Sequence, residues 1–233
     1  MNMQLSLPVN TSDKVSFESF VFGENQQAID SLKKLITKDE TAPFLFYLFG
    51  EKGCGKSHLL ISLCHYAHAR GLDAIYIDLK QTQELVPDVL SNLEASSIIC
   101  LDGLENIKSS VEWQEAVFDL INRVKEQGDT SIVISGREAL SSLSLTLADL
   151  KSRLSWGLSY AITPLNDTEK QELIIKRAKQ RGMVLSTEVA KFLLSHCERD
   201  TQSLMRILDR LDKLSLQQKR KLSIPFVKSA LSL

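Results

Sequence analysis

Residues Gly50–Ser57 read GEKGCGKS, a complete GxxxxGK(S/T) phosphate loop, and they follow the apolar run Phe44–Phe49. The glycines of such a loop let the backbone turn tightly and aim its N–H groups at phosphate oxygens. Lys56 reaches the outer phosphates, and the Ser57 hydroxyl is offered to Mg²⁺. The helix expected to begin at Lys56 adds the positive end of its dipole. The motif therefore predicts a nucleotide site between a strand and a helix.

The size and composition of the chain are those of a compact soluble protein. Its 233 residues are 43% hydrophobic and 24% charged, which suffices for one α/β domain and a small satellite. No segment approaches the roughly 18 to 20 apolar residues that span a bilayer, and we find no signal-peptide pattern. The four cysteines show no CxxC or metal-ligand spacing, which favours a reducing compartment. We expect a cytoplasmic protein without a membrane partner, and the net charge of -1 argues against a large nucleic-acid surface.

Strand and helix patterns alternate as far as Pro164 and then change. Strands are predicted at 44–49, 74–78, 97–101 and 131–135, and helices at 25–36, 56–69, 84–93 and 112–126. This alternation predicts an α/β fold, with a parallel sheet flanked by helices and ligands at the carboxyl ends of the strands. After Pro164, the capping residues Asn166, Ser186 and Asp200 and the first-turn residue Pro225 predict a small helical lid. We assign residues 1–14 to a flexible arm, 15–163 to a nucleotide-binding domain and 164–233 to the lid.

Asp102 and Ser135 lie at the predicted carboxyl ends of two strands, which is where ligands bind in such sheets. The run Ile98–Leu101 before Asp102 supplies the buried strand and terminal carboxylate that hold the waters of Mg²⁺ in phosphate-loop proteins. The alternative is that Asp102 is only a turn or cap residue. Its pairing with an upstream phosphate loop favours the metal role.

Two further segments resemble the AAA+ ATPase module of the bacterial initiator DnaA. Leu150–Leu158 (LKSRLSWGL) is similar to the stretch that carries the arginine finger in this family, and Ser19–Asn25 (SFVFGEN) is similar to the stretch that leads into its adenine pocket. The resemblance covers about Val15 to the C-terminus and implies that Arg153 acts in trans on a neighbour's γ-phosphate. The alternative for Arg153 is a surface arginine that completes a helix end or an ion pair. Lys151 either contacts phosphate or DNA or is simply solvated.

Two positions of this chain depart from the sequence pattern of the DnaA family. The residue after the metal-binding aspartate is usually acidic and orients the attacking water, but here it is Gly103, and Glu105 is the alternative base. In the lid, Gln202 stands where the family has an arginine that reaches the nucleotide, with Arg206 about one turn further on. A neutral amide cannot neutralise phosphate charge as a guanidinium does. We therefore expect a module that holds nucleotide and hydrolyses ATP very slowly.

The motif and the resemblance together define the expected cofactor site. We expect ADP or ATP as the bound nucleotide, with the ADP form implied by the resemblance, and Mg²⁺ held through it by Ser57 and Asp102. The predicted nucleotide contacts are Val21, Gly23, Gly50, Gly53, Cys54, Gly55, Lys56, Ser57, His58, Asp102, Ser135 and Gln202.

The N-terminal arm contains the peptide Gln4-Leu5-Ser6-Leu7-Pro8. It resembles the QL(S/D)L(F/P) peptide by which bacterial replication and repair proteins bind the sliding clamp. In such a peptide, Gln4 hydrogen-bonds at one subsite, while Leu5, Leu7 and Pro8 fill an apolar pocket in an extended conformation. Apolar side chains in a polar arm gain nothing unless a partner buries them. We therefore expect the β subunit of DNA polymerase III, the sliding clamp, as a partner.

A DnaA-like module with a clamp peptide resembles the DnaA homologues that inactivate the initiator once replication has begun. The resemblance implies a regulator that docks on the DNA-loaded clamp and stimulates hydrolysis of DnaA-bound ATP to ADP, which prevents re-initiation. DNA would be contacted mainly through the clamp, because no residues correspond to the DNA-binding domain of DnaA. The alternatives are a self-assembling AAA+ ATPase such as a helicase loader, and a small-molecule kinase. A homodimer or a nucleotide-dependent oligomer stays open.

Overall fold

The computed structural model describes residues 15–37, 43–218 and 221–233. These residues form two compact units. The first comprises Val15–Phe17 and Glu24–Pro164, and the second comprises Glu18–Gly23 and Leu165–Leu233. No helix in the described part of the chain has the length and apolar character that a bilayer crossing requires.

A five-stranded parallel sheet forms the centre of the first unit, in the order β2-β3-β4-β1-β5. Its strands are β1 Leu45–Phe49, β2 Ala74–Asp78, β3 Ile98–Asp102, β4 Ser131–Gly136 and β5 Leu158–Ala161. Its helices are α1 Gln26–Ile36, α2 Lys56–His68, α3 Val111–Gln127 and α4 Ala148–Leu154. The sheet confirms the predicted fold class. Because all strands run the same way, their carboxyl ends meet at one edge, where β1 leads into the phosphate loop.

The central strands are apolar along their whole length because helices cover both faces of the sheet. Alternate side chains of β1, β3 and β4 join the core that includes α3 and α4: Leu45, Tyr47, Ile99, Leu101, Ile132 and Ile134. The residues between them, such as Phe46 and Val133, are also fully buried. Helix α2 contacts β2 and β3 and packs beside α1. This two-sided burial fixes the positions of the strand ends that carry the site.

The second unit contains α5 Asp167–Gln180, α6 Thr187–His196, α7 Thr201–Gln218 and α8 Ile224–Leu231. The predicted caps are confirmed: Asn166 and Glu169 form a capping box at α5, and Ser186 accepts from the backbone N–H of Val189 at α6. Asp200 accepts from the backbone N–H of Ser203 at 2.9 Å where α7 begins. Apolar residues of the four helices pack into one core, so the unit is a small helical lid as predicted.

Two sequence predictions about local structure were incomplete or wrong. The helix predicted at 84–93 is replaced by two short 3-10 helices, Pro87–Leu90 and Leu93–Ala95. Asn92 between them has a left-handed φ of 61°, which interrupts any continuous helix. Strand β5 was not predicted, because it lies at the sheet edge and its residues are mostly exposed. It therefore lacks the apolar run by which a buried parallel strand is detected.

Candidate nucleotide site

The phosphate loop joins β1 to α2 at the carboxyl edge of the sheet. Gly55 precedes the first helical residue and has a left-handed φ of 107°, a conformation that favours glycine. The loop also contains Gly50, Gly53 and the buried residue Cys54. The fold thus builds the strand-loop-helix arrangement that the sequence motif requires, with the N-terminus of α2 directed at the loop.

Lys56 directs its ammonium group into the loop. Its Nζ donates to the Gly50 carbonyl oxygen at 2.7 Å and to the Glu51 carbonyl oxygen at 2.9 Å, and it lies 3.6 Å from Cys54 Sγ. The residue is only 9% exposed. A buried ammonium needs such acceptors, and phosphate oxygens are acceptors of the same kind with a full negative charge. The position of Lys56 suits a phosphate ligand, and that role stays a prediction.

His58 has a different role from that of its loop neighbours. Its Nε2 donates to the Ser16 carbonyl oxygen at 3.1 Å, which attaches the start of α2 to the segment before α1. The ring therefore helps hold the loop in place through Ser16. A nucleotide contact by His58 stays a prediction.

Asp102 ends β3 and is 2% exposed, with both carboxylate oxygens hydrogen-bonded. The Tyr76 hydroxyl donates to Oδ2 at 2.8 Å, and the Ser135 hydroxyl donates to Oδ1. Ser135 Oγ in turn accepts from the Gly103 backbone N–H at 2.9 Å. Burial, together with the nearby Asp102 carboxylate, raises the pKa of Tyr76 well above its ordinary value. The structure thus brings Asp102 and Ser135 together, as the strand-end argument predicted.

The residues at this edge fit Mg²⁺. A carboxylate and a hydroxyl are hard oxygen ligands of the type that Mg²⁺ prefers, directly or through its waters. Tyr76 and Ser135 use one acceptor position on each Asp102 oxygen, and a carboxylate offers roughly four such positions. Asp102 can therefore still accept hydrogen bonds from metal-bound water, with Ser57 as the second residue that would hold the ion. When bound, Mg²⁺ neutralises charge on the nucleotide phosphates.

Gly103 and Glu105 do not supply a free base beside this carboxylate. Gly103 has a φ of 92°, and a Cβ built there would lie 2.6 Å from Asn106 Nδ2, so an acidic side chain is disfavoured at this position. Glu105 Oε1 forms an ion pair with Arg137 Nε at 2.8 Å. Its Oε2 is buried and has no hydrogen-bond partner among the residues described. The alternative base is thus engaged by a cation.

Val21, Gly23 and Gln202 belong to the second unit. Val21 is buried, and Gly23 lies close to Glu169 in the same unit. Gln202 is exposed in the first turn of α7, and Arg206 Nη2 donates to Ser203 Oγ at 2.7 Å. These observations describe the three residues within the second unit only. Their contribution to nucleotide binding stays a prediction.

Arg153 lies on α4 and is held by residues of α3 and by the turn that follows α4. Its Nε donates to Asn122 Oδ1 at 2.7 Å. Its guanidinium carbon is 4.1 Å from the Trp156 ring centroid and 5.0 Å from the Phe118 ring centroid. Lys125 Nζ is 3.6 Å from the same Trp156 ring. The two terminal nitrogens make no hydrogen bond within residues 15–37, 43–218 and 221–233, so they can meet an external anion.

Sequence reasoning missed the residues that hold these functional groups. Tyr76 is a phenol between the apolar residues Ile75 and Ile77 of β2, which was the available signal, but the sequence does not say which strand lies beside it. Asn122 is one polar residue among several on α3. The peptide Gln4–Pro8 lies outside the described residues, so clamp binding stays a prediction.

Family comparisons agree with the fold and with the resemblance. The model of the bacterial DnaA ATPase domain matches residues 11–161, and the model of the Hda lid domain matches residues 167–231. A Haemophilus influenzae protein, described only as uncharacterized, is 42% identical over 233 residues and covers 100% of both chains.

Three solved structures illustrate the shared architecture. Domain III of the Thermotoga maritima initiator DnaA has a TM-score of 0.80 at 19% identity, covering 94% of this chain and 95% of that one. AMPPCP-bound DnaA from Aquifex aeolicus has a TM-score of 0.72 at 21% identity, covering 88% and 68%. The Thermotoga maritima RuvB branch-migration motor has a TM-score of 0.70 at 13% identity, covering 93% and 71%. These likenesses establish the AAA+ fold.

The two family models together match nearly the whole chain, one after the other. The DnaA-type model spans the sheet and the phosphate loop, and the Hda-type model spans helices α5–α8. The predicted resemblance is therefore confirmed at the level of the family. The chain belongs to the family of the bacterial DnaA ATPase domain, as an Hda-like AAA+ protein related to the replication initiator.

Proposed function

We propose that this DnaA-related replication regulator stimulates the hydrolysis of DnaA-bound ATP to ADP. Arg153 acts in trans at the nucleotide of DnaA, and the N-terminal peptide holds the protein on the DNA-loaded sliding clamp. The observation that supports this most directly is a contrast within one module. Arg153 has terminal nitrogens available for a neighbour, whereas Gly103 stands where the module's own water-orienting acid would be. That combination suits an activator of another ATPase.

The surroundings of Arg153 suit the chemistry of an arginine finger. Charge on the γ-phosphate oxygens is stabilised by a guanidinium, and such a group raises turnover by ~10³ to 10⁵. The hydrogen bond to Asn122 and the contact with the Trp156 ring hold the guanidinium in place. A donor held in place before the reaction needs little reorganisation during it.

The module's own nucleotide has a structural role in this proposal. ADP with Mg²⁺ would be held by the phosphate loop, Lys56 and Asp102, and it would be turned over slowly or not at all. The clamp supplies location, because a tether on DNA raises the effective concentration of the protein near its target. The proposed activity would take place in the cytoplasm, where DNA, clamp and initiator meet.

Lys56→Ala tests the nucleotide site. We expect at least tenfold weaker binding of ADP and ATP, or ~1.4 kcal/mol, because the variant lacks the ammonium at the loop. Calorimetric titration measures both affinities. Lys52→Ala is the matched control, since Lys52 is an exposed lysine of the same loop and its removal should change affinity little. Unchanged affinity of Lys56→Ala for ADP and ATP would contradict the assignment of the phosphate loop as the nucleotide site.

The isolated protein should hydrolyse ATP far more slowly than ~1 s⁻¹, the low end of common enzymes. Gly103 provides no base, and Glu105 is paired with Arg137. Phosphate release under single-turnover conditions measures the rate. Glu105→Gln should leave it unchanged. A rate near ~1 s⁻¹ that disappears in Glu105→Gln would identify Glu105 as a working base and contradict the proposal of a passive site.

A reconstituted reaction tests the function as a whole. The protein is mixed with ATP-loaded DnaA, with and without sliding clamp loaded on DNA, and ADP formation on DnaA is followed. We expect strong stimulation only when the protein and the loaded clamp are both present. Self-assembly on ATP with rapid intrinsic turnover, and no effect on DnaA, would instead favour a free-standing AAA+ ATPase such as a helicase loader.

A further inference from the structure

We propose that Tyr76 weakens the dependence of nucleotide binding on Mg²⁺, because it gives the metal-binding carboxylate of Asp102 a hydrogen-bond donor that belongs to the protein. The inference rests on the proposed nucleotide site. It adds a residue that lies outside the phosphate-loop motif and that sets how strongly the metal contributes there.

The strand order places one donor on each side of the carboxylate. Strand β3 lies between β2 and β4, with Asp102 opposite Asp78 in the β2–β3 register. Tyr76 is two residues before Asp78, and its long side chain reaches Asp102 Oδ2 at 2.8 Å. Ser135 approaches Oδ1 from β4. Both hydroxyls are therefore supplied by the neighbouring strands of a rigid sheet.

Burial makes these donors energetically significant. Asp102 is 2% exposed, and a buried carboxylate without donors is strongly unfavourable. Here the two hydroxyls provide donors whether or not a metal is bound. The carboxylate is thus satisfied in both states.

Competition for the same oxygen then lowers the gain from Mg²⁺. Oδ2 keeps a second acceptor position, but a metal-bound water that donated to it would share the electron density of that oxygen with the Tyr76 hydroxyl, so each bond would be weaker than it would be alone. Without that hydroxyl, the water would supply the missing donor and gain more. Nucleotide should therefore bind this protein well without metal, and the preference for the metal complex should rise when Tyr76 loses its hydroxyl.

Tyr76→Phe tests this directly, because it removes one oxygen and keeps the ring. The affinity for ADP is measured by calorimetry in excess Mg²⁺ and in EDTA, for wild type and variant. We define the affinity ratio as the affinity for ADP in Mg²⁺ divided by the affinity in EDTA. We expect this ratio to be at least fivefold larger in Tyr76→Phe than in wild type. The melting temperature should follow the same pattern, with a larger difference between ADP with Mg²⁺ and ADP with EDTA in the variant.

Two further variants make the test specific. Tyr160→Phe removes another phenol of the same unit, whose hydroxyl lies 2.8 Å from Ser31 Oγ, and it should leave the affinity ratio unchanged. In an Asp102→Asn background, Tyr76→Phe should no longer alter the ratio, because the charged acceptor is gone. An effect that persists in that background would overturn the proposal.

The outcomes separate this inference from the proposed site. If wild type and Tyr76→Phe both bind ADP and the affinity ratio is equal or smaller in the variant, Tyr76 only supports packing and the inference fails. If wild type binds no ADP under either condition, the nucleotide site itself is wrong. Circular dichroism and melting of the nucleotide-free proteins establish that each variant is folded.

Discussion

Arg153→Ala should lower the stimulated hydrolysis of DnaA-bound ATP by about 10³-fold or more, while clamp binding and nucleotide binding by the protein persist. The change removes positive charge from the transition state of the partner's reaction and leaves the phosphate loop intact. The rate is measured in the reconstituted mixture with loaded clamp. Calorimetry with ADP and with clamp confirms that both binding functions remain.

Two matched variants on the same helix make this result interpretable. Arg153→Lys keeps a positive charge but loses the planar fork that stacks on Trp156 and bonds Asn122, so we expect it to remain strongly impaired. Lys151→Ala removes a neighbouring cation whose Nζ donates to the Ser141 carbonyl oxygen at 3.2 Å, and it should retain most activity. If Lys151→Ala instead loses stimulation and Arg153→Ala keeps it, the finger has been assigned to the wrong residue.

Leu5→Ala combined with Leu7→Ala should weaken clamp binding by roughly 10² to 10⁴-fold. Each leucine contributes about 1.5 to 3 kcal/mol if it is fully buried by the partner, and every ~1.4 kcal/mol is tenfold in affinity. Binding of full-length protein to the clamp is measured by calorimetry. Ser6→Ala lies between the two leucines and is the control, with little expected effect. Near-normal clamp binding by the double variant would show that the peptide is not the tether.

Protein concentration distinguishes loss of the tether from loss of the chemistry. At high concentration, the Leu5 and Leu7 double variant should recover part of its stimulation of DnaA, because mass action replaces the lost effective concentration. Arg153→Ala should not recover at any concentration. Equal recovery of both variants would mean that Arg153 serves docking, and the trans-acting group would have to be sought elsewhere.

The features that the sequence predicted well are those set by local patterns. The phosphate loop is defined by its glycines and Lys56, and the caps Asn166, Ser186 and Asp200 each act within a few residues of their own position. Apolar runs of buried strands are equally local, because two-sided burial demands them. These signals sufficed for the fold class, the position of the phosphate loop and the helical lid.

The features that it missed depend on which strands and helices become neighbours. Tyr76 and Asp102 are 26 residues apart, and Asn122 and Arg153 are 31 apart, so no local pattern links them. Strand β5 is stabilised by pairing with β1, whereas its own residues are mostly exposed. The Glu105–Arg137 ion pair joins the segments that follow β3 and β4 in the same way. Such contacts appear only once the strand order is known.

The left-handed turn at Gly103 has a consequence for timing. An ATPase that hydrolyses its own nucleotide limits the duration of its own active state, since each turnover changes its affinity for its partners. Here Gly103 has a left-handed φ that disfavours an acidic side chain, and Arg137 pairs with Glu105, so neither position supplies a free base for that turnover. Under the proposed function, the protein would stay competent for as long as it remains on the clamp, and the presence of loaded clamp would set the duration of its action.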